Sequence, residues 1–202
     1  MLRHLIYKET PQPLKEATFI SRLQSQDNGA FQELVQTYQR QVYNTCLGMI
    51  QSEEEAEDLA QEVFIEAFRS ISNFRADAQL GTWLYRISVN KSLELIRKKK
   101  RKKRWAFFQA ERGEVVETEA ASRFAHPGVE LENKERSQIL FWAIDRLSEK
   151  QRTAFTLNKV DGLSYQEVAK IMGMSLASVE GLIFRARKSL QKLLYNYYQQ
   201  SL

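Results

Sequence analysis

The sequence predicts an all-α protein: two small helical domains joined by a flexible linker. Three observations carry that expectation. Apolar residues recur at helical spacing over most of the chain, and nothing in it resembles a strand-rich core. Only eight Gly and three Pro interrupt 202 residues. A stretch of poor periodicity, small and acidic, then splits the pattern in two at 105–130. The expected organisation is an N-terminal extension over 1–14, a first domain over 15–104, a linker over 105–130 and a second domain over 131–202.

The elements follow in order. Phe31, Leu34, Val35, Tyr38, Val42, Cys46 and Met49 form one apolar stripe, and Leu59, Val63, Phe64, Ala67, Phe68 and Ile71 form another, so two helices pack together. Gly29 and the segment QSEEEAED are read as their separators, with Ser52 as N-cap and Glu55 completing a capping box. NFRADAQLG breaks the pattern as a loop, and Thr82 is the expected cap of a third long helix through Trp83, Ile87, Asn90 and Ile96 into eight consecutive cations, Arg97 to Arg104. In the linker, Pro127-Gly128 signals a turn, and the cluster WAFF reads as a helix end covered by its own domain. Periodicity resumes at Leu131 and continues through Ile139, Leu140, Ala143, Ile144 and Leu147.

The most informative segment is LSYQEVAKIMGMSLASVEGLIFRARKSL. Ser164 and Glu167 form a capping-box pattern, Val168, Ala169, Ile171 and Met172 supply a buried face, and Gly173 sits where a tight inter-helix turn needs positive φ. Ser175 or Ala177 opens a second helix with Val179, Leu182, Ile183, Ala186 and Leu190 inward, leaving Ser178, Glu180, Gly181, Arg185 and Lys188 outward. This is a helix-turn-helix pattern, whose second helix places its early exposed residues against base edges in the major groove. A generic antiparallel helix pair has the same apolar pattern; the cluster Arg185, Arg187, Lys188 favours DNA.

Composition narrows the function. The net charge of +5 hides a segregation: −4 over residues 1–96, +8 over 97–104, −3 over 105–134 and +4 over 135–202. An acidic region beside basic ones implies one cationic and one polyanionic partner. The single cysteine, Cys46, cannot pair within the chain, and with two histidines far apart no metal-ligand set exists, so a reducing cytoplasm is expected. No apolar run approaches the roughly 18 residues of a spanning helix, so membrane insertion is not expected. With no P-loop, dinucleotide fingerprint or nucleophile motif, neither catalytic residues nor a cofactor is expected.

Four motifs in one order, AEDLAQEVFIEAFRSISNFR, TWLYRISVN, LSEKQRTAFTL and LSYQEVAKIMGMSLASVEGLIFRARKSL, resemble bacterial RNA polymerase sigma factors of the extracytoplasmic-function (ECF) group of the sigma-70 family. The resemblance spans roughly 15–104 and 130–195 and implies a sigma-2 domain, a sigma-4 helix-turn-helix domain and a non-enzymatic initiation factor. It further implies core RNA polymerase as partner, through the beta-prime clamp helices and the beta flap, together with promoter DNA and an anti-sigma factor.

By that resemblance Asp58, Gln61 and Glu62 would face polymerase arginines; their spacing does put them on one helical stripe. A solvated acidic face supporting its own helix N-terminus accounts for the earlier glutamates of the segment. Trp83 resembles a wedge against the last paired base of the minus-ten element and Asn90 a reader of base edges, with the FRADAQLG loop, including Arg75, Asp77 and Gln79, walling a pocket for a flipped base. Arg86, Arg97, Lys98 and Arg101 would hold the strand backbone. Taken alone, Trp83 and Tyr85 are more often core than DNA contacts. At the minus-thirty-five element the resemblance assigns Ser178, Glu180, Gly181, Phe184, Arg185 and Lys188, with one departure: Glu180 and Gly181 stand where a basic residue and a serine are common. A helix-turn-helix regulator that binds duplex operators without polymerase remains the alternative, and a pure interaction module that mimics a sigma factor is a further one.

Overall fold

A computed structural model describes residues 13–75, 78–111 and 139–200. The described chain is helical and holds no strand: α1 Pro13–Gln24, α2 Asn28–Ile50, α3 Glu53–Ser70, a 3-10 turn Ile71–Asn73, α4 Leu80–Glu111, α5 over 139–145, α6 Glu149–Lys159, α7 Tyr165–Met172 and α8 Leu176–Gln200.

Three apolar clusters hold these helices. Leu23, Leu34, Val42, Val63, Ala67, Ile71, Leu80 and Leu84 close the core of α1 to α4. Ala143, Ile144 and Leu147 pack on Ala186 and Leu190. Between them, Tyr85 and Val89 of α4 join Ala154, Leu157, Val168, Ile171, Val179 and Ile183 of the C-terminal helices. The long helix α4 therefore belongs to two cores at once. Its side chains at 84 and 87 serve the N-terminal helices and those at 85 and 89 the C-terminal ones, because successive helical residues are rotated by about 100°.

Several boundaries differ from the sequence expectation. Helix α1 begins at Pro13, inside the expected extension; its apolar content is confined to a few positions such as Ile20 and Leu23, both buried. Gly29 separates nothing. It lies in the first turn of α2, where Asp27 caps the helix by accepting from the Gly29 and Ala30 N–H groups. The segment QSEEEAED interrupts the helices only at Gln51 and Ser52, with Gln51 in the left-handed region at φ 63.

Ser52 is the N-cap residue of α3 by position, yet it makes no side-chain capping bond, and the Glu55 carboxylate is paired with Lys99 of the basic run instead. An ion pair to an ammonium outcompetes a neutral N–H there. Thr82 is inside α4, whose first turn is already closed by Trp83 N–H donating to Gln79 O at 3.1 Å. α4 also runs on through the basic residues to Glu111, so 105–111 continues the helix, and Trp105 is 67% exposed where a covered helix end was expected. Charged and aromatic residues there have ordinary helix propensity, and no Gly or Pro stops the run. The turn at Pro127-Gly128 and the start of periodicity at Leu131 lie outside the described residues.

Candidate functional site

α3 has two faces. Leu59, Val63, Phe64 and Ala67 are buried, while Asp58, Gln61 and Glu62 are exposed on one stripe. Ile65 continues that stripe and is 51% exposed, a large apolar side chain among charges. It was missed in the sequence because its neighbours Phe64 and Ala67 are core, and a one-dimensional pattern does not separate an inward Ile from an outward one. Lys91 of α4 reaches Glu62 at 3.9 Å and Glu66 at 3.8 Å. Between the two helices lies a groove of about 660 Å³, with Glu55, Asp58 and Glu62 on one wall and Lys91, Lys98 and Arg101 on the other. Residues assigned from sequence to two different partners thus share one groove.

On α4, Trp83, Arg86, Asn90, Arg97 and Arg101 follow one another at steps of three, four, seven and four, which keeps them on a single side of the helix. Trp83 is half-buried, its ring 5.0 Å from that of Phe74 at 43°. Arg75, Gln79 and Asn90 are exposed, as are Lys98 and Arg101; Asp77 lies outside the described residues. Two guanidiniums of the stripe are engaged by the C-terminal helices. Arg86 donates from Nη2 to the Lys170 carbonyl oxygen at 2.6 Å. Arg97 donates from Nε at 3.0 Å and Nη2 at 2.8 Å to Glu149 Oε2, and this bond holds the Glu149 carboxyl below its ordinary range.

In the helix-turn-helix pair the expected devices are formed. Ser164 and Glu167 exchange both capping-box bonds, Gly173 ends α7 at φ 62, and Ser175 Oγ accepts from the Ser178 N–H as α8 begins at Leu176. Val179, Leu182, Ile183, Ala186 and Leu190 are buried. Glu180, Phe184, Arg185 and Lys188 are exposed, and Ser178 and Gly181 are half-buried. A Cβ at Gly181 would stand 3.2 Å from Arg185 Nη1, so the missing side chain lets the Arg185 guanidinium lie back along the helix surface. An unpredicted second capping box, Ser148 with Gln151, starts α6.

Among the described residues no group of three or more His, Cys, Asp or Glu side chains could hold a metal ion, and no helix is long and apolar enough to cross a membrane. The geometry is that of a paired set of charged helix faces.

Comparison with known proteins gives the family of the chain. Residues 34–102 match the family described as Sigma-70 region 2, and residues 138–190 match Sigma-70, region 4. The chain belongs to the ECF group of the sigma-70 family. This sigma factor is 33% identical to the RNA polymerase sigma-H factor of Pseudomonas aeruginosa over 187 residues, 89% of this chain and 94% of that one. It is 35% identical to the ECF RNA polymerase sigma-E factor of Escherichia coli K12 over 178 residues, 88% of this chain and 93% of that one. Among solved structures, the fold is similar to that of CnrH in complex with the cytosolic domain of CnrY, at TM-score 0.62 and 22% identity over 90% of this chain and 97% of that one. It is also similar to the sigma factor RpoE of Bartonella quintana in complex with the anti-sigma factor NepR, at TM-score 0.58 and 25% identity over 82% and 96%. The sigma factor is thus a transcription initiation factor that works with RNA polymerase, in a family of non-enzymatic initiation factors; the operator-binding regulator is not favoured.

Proposed function

We propose a division of labour in which Asp58, Gln61, Glu62 and Ile65 bind core polymerase, α4 binds the opened minus-ten strand, and α8 reads the minus-thirty-five element. Residues 15–104 and 131–202 are then the two working modules, the factor acts in the cytoplasm, and a protein inhibitor would act by covering these faces. The observation that carries the reading is the placement of these residues on one side of α4: one helix of 32 residues, about 48 Å long at 1.5 Å per residue, leads from the half-buried Trp83 through the exposed Arg86, Asn90 and Arg97 into the basic run. Opening a promoter costs a few kcal/mol for each unstacked base. A factor without ATP offsets that cost only by binding the opened form better than the duplex. An aromatic edge, a polar reader and a row of cations on one helix side suit a single strand.

Pre-melted templates test this assignment. Trp83→Leu keeps apolar packing against Phe74 while removing the broad ring, and Asn90→Ala removes one polar group from an exposed position, so both variants should fold. The expected result is a strong loss of open complexes on duplex promoters by Trp83→Leu that a bubble template restores, and altered base preference for Asn90→Ala. Equal defects of Trp83→Leu on bubble and duplex would make Trp83 a core residue and nothing more.

At α8, Glu180 is exposed on the face that meets the major groove, beside the gap at Gly181 into which Arg185 folds. A carboxylate there can accept from a cytosine amine, and each good base contact contributes roughly 1–3 kcal/mol of discrimination. Glu180→Gln is therefore expected to relax base choice at one upstream position in selections from a randomised pool. Unchanged base preferences with uniformly tighter binding would mean that Glu180 only repels phosphate.

A further inference from the structure

α4 runs on past both cores that it serves. Ile96 is its last buried residue, and none from 97 to 106 is buried, so the basic end of the helix stands in water. Eight consecutive cations make up that end, where like charges four residues apart destabilise a helix. A polyanion laid along it removes the repulsion. Directly after the cations comes Trp105, 67% exposed, a large ring of the kind that folding normally covers.

The register of Trp105 connects it with the strand-binding side of α4. It follows Arg101 by four residues and so continues the row Trp83, Arg86, Asn90, Arg97, Arg101 on the same side of the helix. The row therefore begins and ends in an indole ring, 22 residues apart in the sequence and about 33 Å apart at 1.5 Å per residue. A single carboxylate of α4, Glu94, lies between the two rings, against the exposed cations Arg86, Arg97, Lys98, Arg101 and Arg104. We propose that Trp105 is a second base-stacking residue for single-stranded DNA: it takes an unpaired base of the same opened strand that Trp83 meets, so that α4 holds the strand at two points with the cations along the backbone between them.

The chemistry selects this partner over others. Every base has a π-face, and an aromatic side chain set among cations binds single strands with little regard to sequence. A base inside a duplex is closed to such a ring. Arg101, one turn before Trp105, and Arg104, next to it, are placed to neutralise the flanking phosphates. A lipid surface fits less well, because an interfacial helix separates an apolar face from a charged one, whereas the cations at 97–104 go all round α4. The span also sets a length. A distance of about 33 Å corresponds to roughly ten nucleotides at the stacked spacing of about 3.4 Å, and to fewer when the strand is extended.

The proposal rests on the reading of α4 given above, and the test separates the two. Holoenzyme is titrated with labelled forked DNA from a promoter it transcribes, the single-stranded arm being lengthened from about four to about sixteen nucleotides, the range that single-strand sites cover. With wild type, affinity should rise in a step, about five- to hundredfold, once the arm spans the distance from Trp83 to Trp105. Trp105→Ala should lose the step while binding the shortest arm as wild type does, and Trp105→Phe should keep most of it. An abasic sugar at the nucleotide where the step occurs should cost wild type the same factor and Trp105→Ala nothing, a signature that phosphate contacts alone do not give. A step that persists in Trp105→Ala, or the absence of any step in wild type, would overturn the proposal. So would weaker association of Trp105→Ala with core polymerase in the absence of DNA, which makes the ring a polymerase contact, and so would Trp105-dependent sedimentation with phosphatidylglycerol vesicles alongside an unchanged step. If Trp83→Leu and Asn90→Ala also leave the binding of every fork unchanged, it is the reading of α4 that fails; if they weaken it and Trp105→Ala does not, the second stacking site alone is wrong.

Discussion

Asp58→Lys combined with Glu62→Lys is expected to abolish stable association with core polymerase and leave the fold intact. Both side chains are exposed, and their helix is held to the core by Leu59, Val63 and Ala67 on the other side. Within the chain the double change breaks the ion pair between Glu62 and Lys91 at 3.9 Å, of the surface kind that contributes about 0–1 kcal/mol. In the complex the same carboxylates would form desolvated, charge-assisted bonds, and truncating one partner of such a pair typically costs about 2–5 kcal/mol. Two reversals should exceed that cost, since each also sets like charges together. Co-purification and competition binding measure the effect, with circular dichroism and thermal melting as the check on folding. Ile65→Ser should give a smaller loss by removing apolar surface from the interface. Retained co-purification of the double variant would reassign the stripe to a solvated helix face.

The second large effect concerns the basic run. Arg97 and Lys99 are already paired within the chain, with Glu149 and Glu55. Lys98, Arg101 and Lys103 are exposed around α4, as is Lys100, and Arg101 also faces the groove shared with Asp58 and Glu62. Replacing these four by Gln should weaken holoenzyme binding on every promoter alike and flatten its salt dependence. Each phosphate that is no longer neutralised reduces the slope of log affinity against log salt by about 0.7 to 0.9. Consecutive helical residues point all round the axis, so the four substitutions should together change the slope by less than four such steps. A loss confined to some promoters, with the slope unchanged, would mean that the run reads sequence or serves another partner.

What could be read from the sequence was what periodicity and capping chemistry determine locally. The stripes ending at Met49 and Ile71, the Ser164–Glu167 box, the turn at Gly173 and the buried set from Val179 to Leu190 are short-range consequences of residue type, and each stands where expected. The misses involve partners distant in the chain. Ser52 and Glu55 have the capping-box spacing, but Lys99, 44 residues on, takes the carboxylate. Gly48 passes for an ordinary helical glycine until Thr156, from the other half of the chain, is seen against it. Tyr85 and Val89 look like one more apolar pair of their own helix, and only the tertiary structure shows them serving the C-terminal core. The candidate sites follow the same rule. Spacing places Asp58, Gln61 and Glu62 on one face, and Trp83, Arg86 and Asn90 on another. It carries no information on Ile65 joining the first, or on α7 and α6 occupying two arginines of the second.

Promoter recognition and opening are expected to occur only in the complex with polymerase. Footprinting a transcribed promoter with and without core enzyme, with permanganate marking unpaired thymines, tests this most directly. Protection of two separate elements and reactive thymines near the downstream one, both appearing only when core polymerase is present, is the predicted result. The same duplex protection by the free protein, symmetric about a dyad and with no reactive thymines, would contradict it.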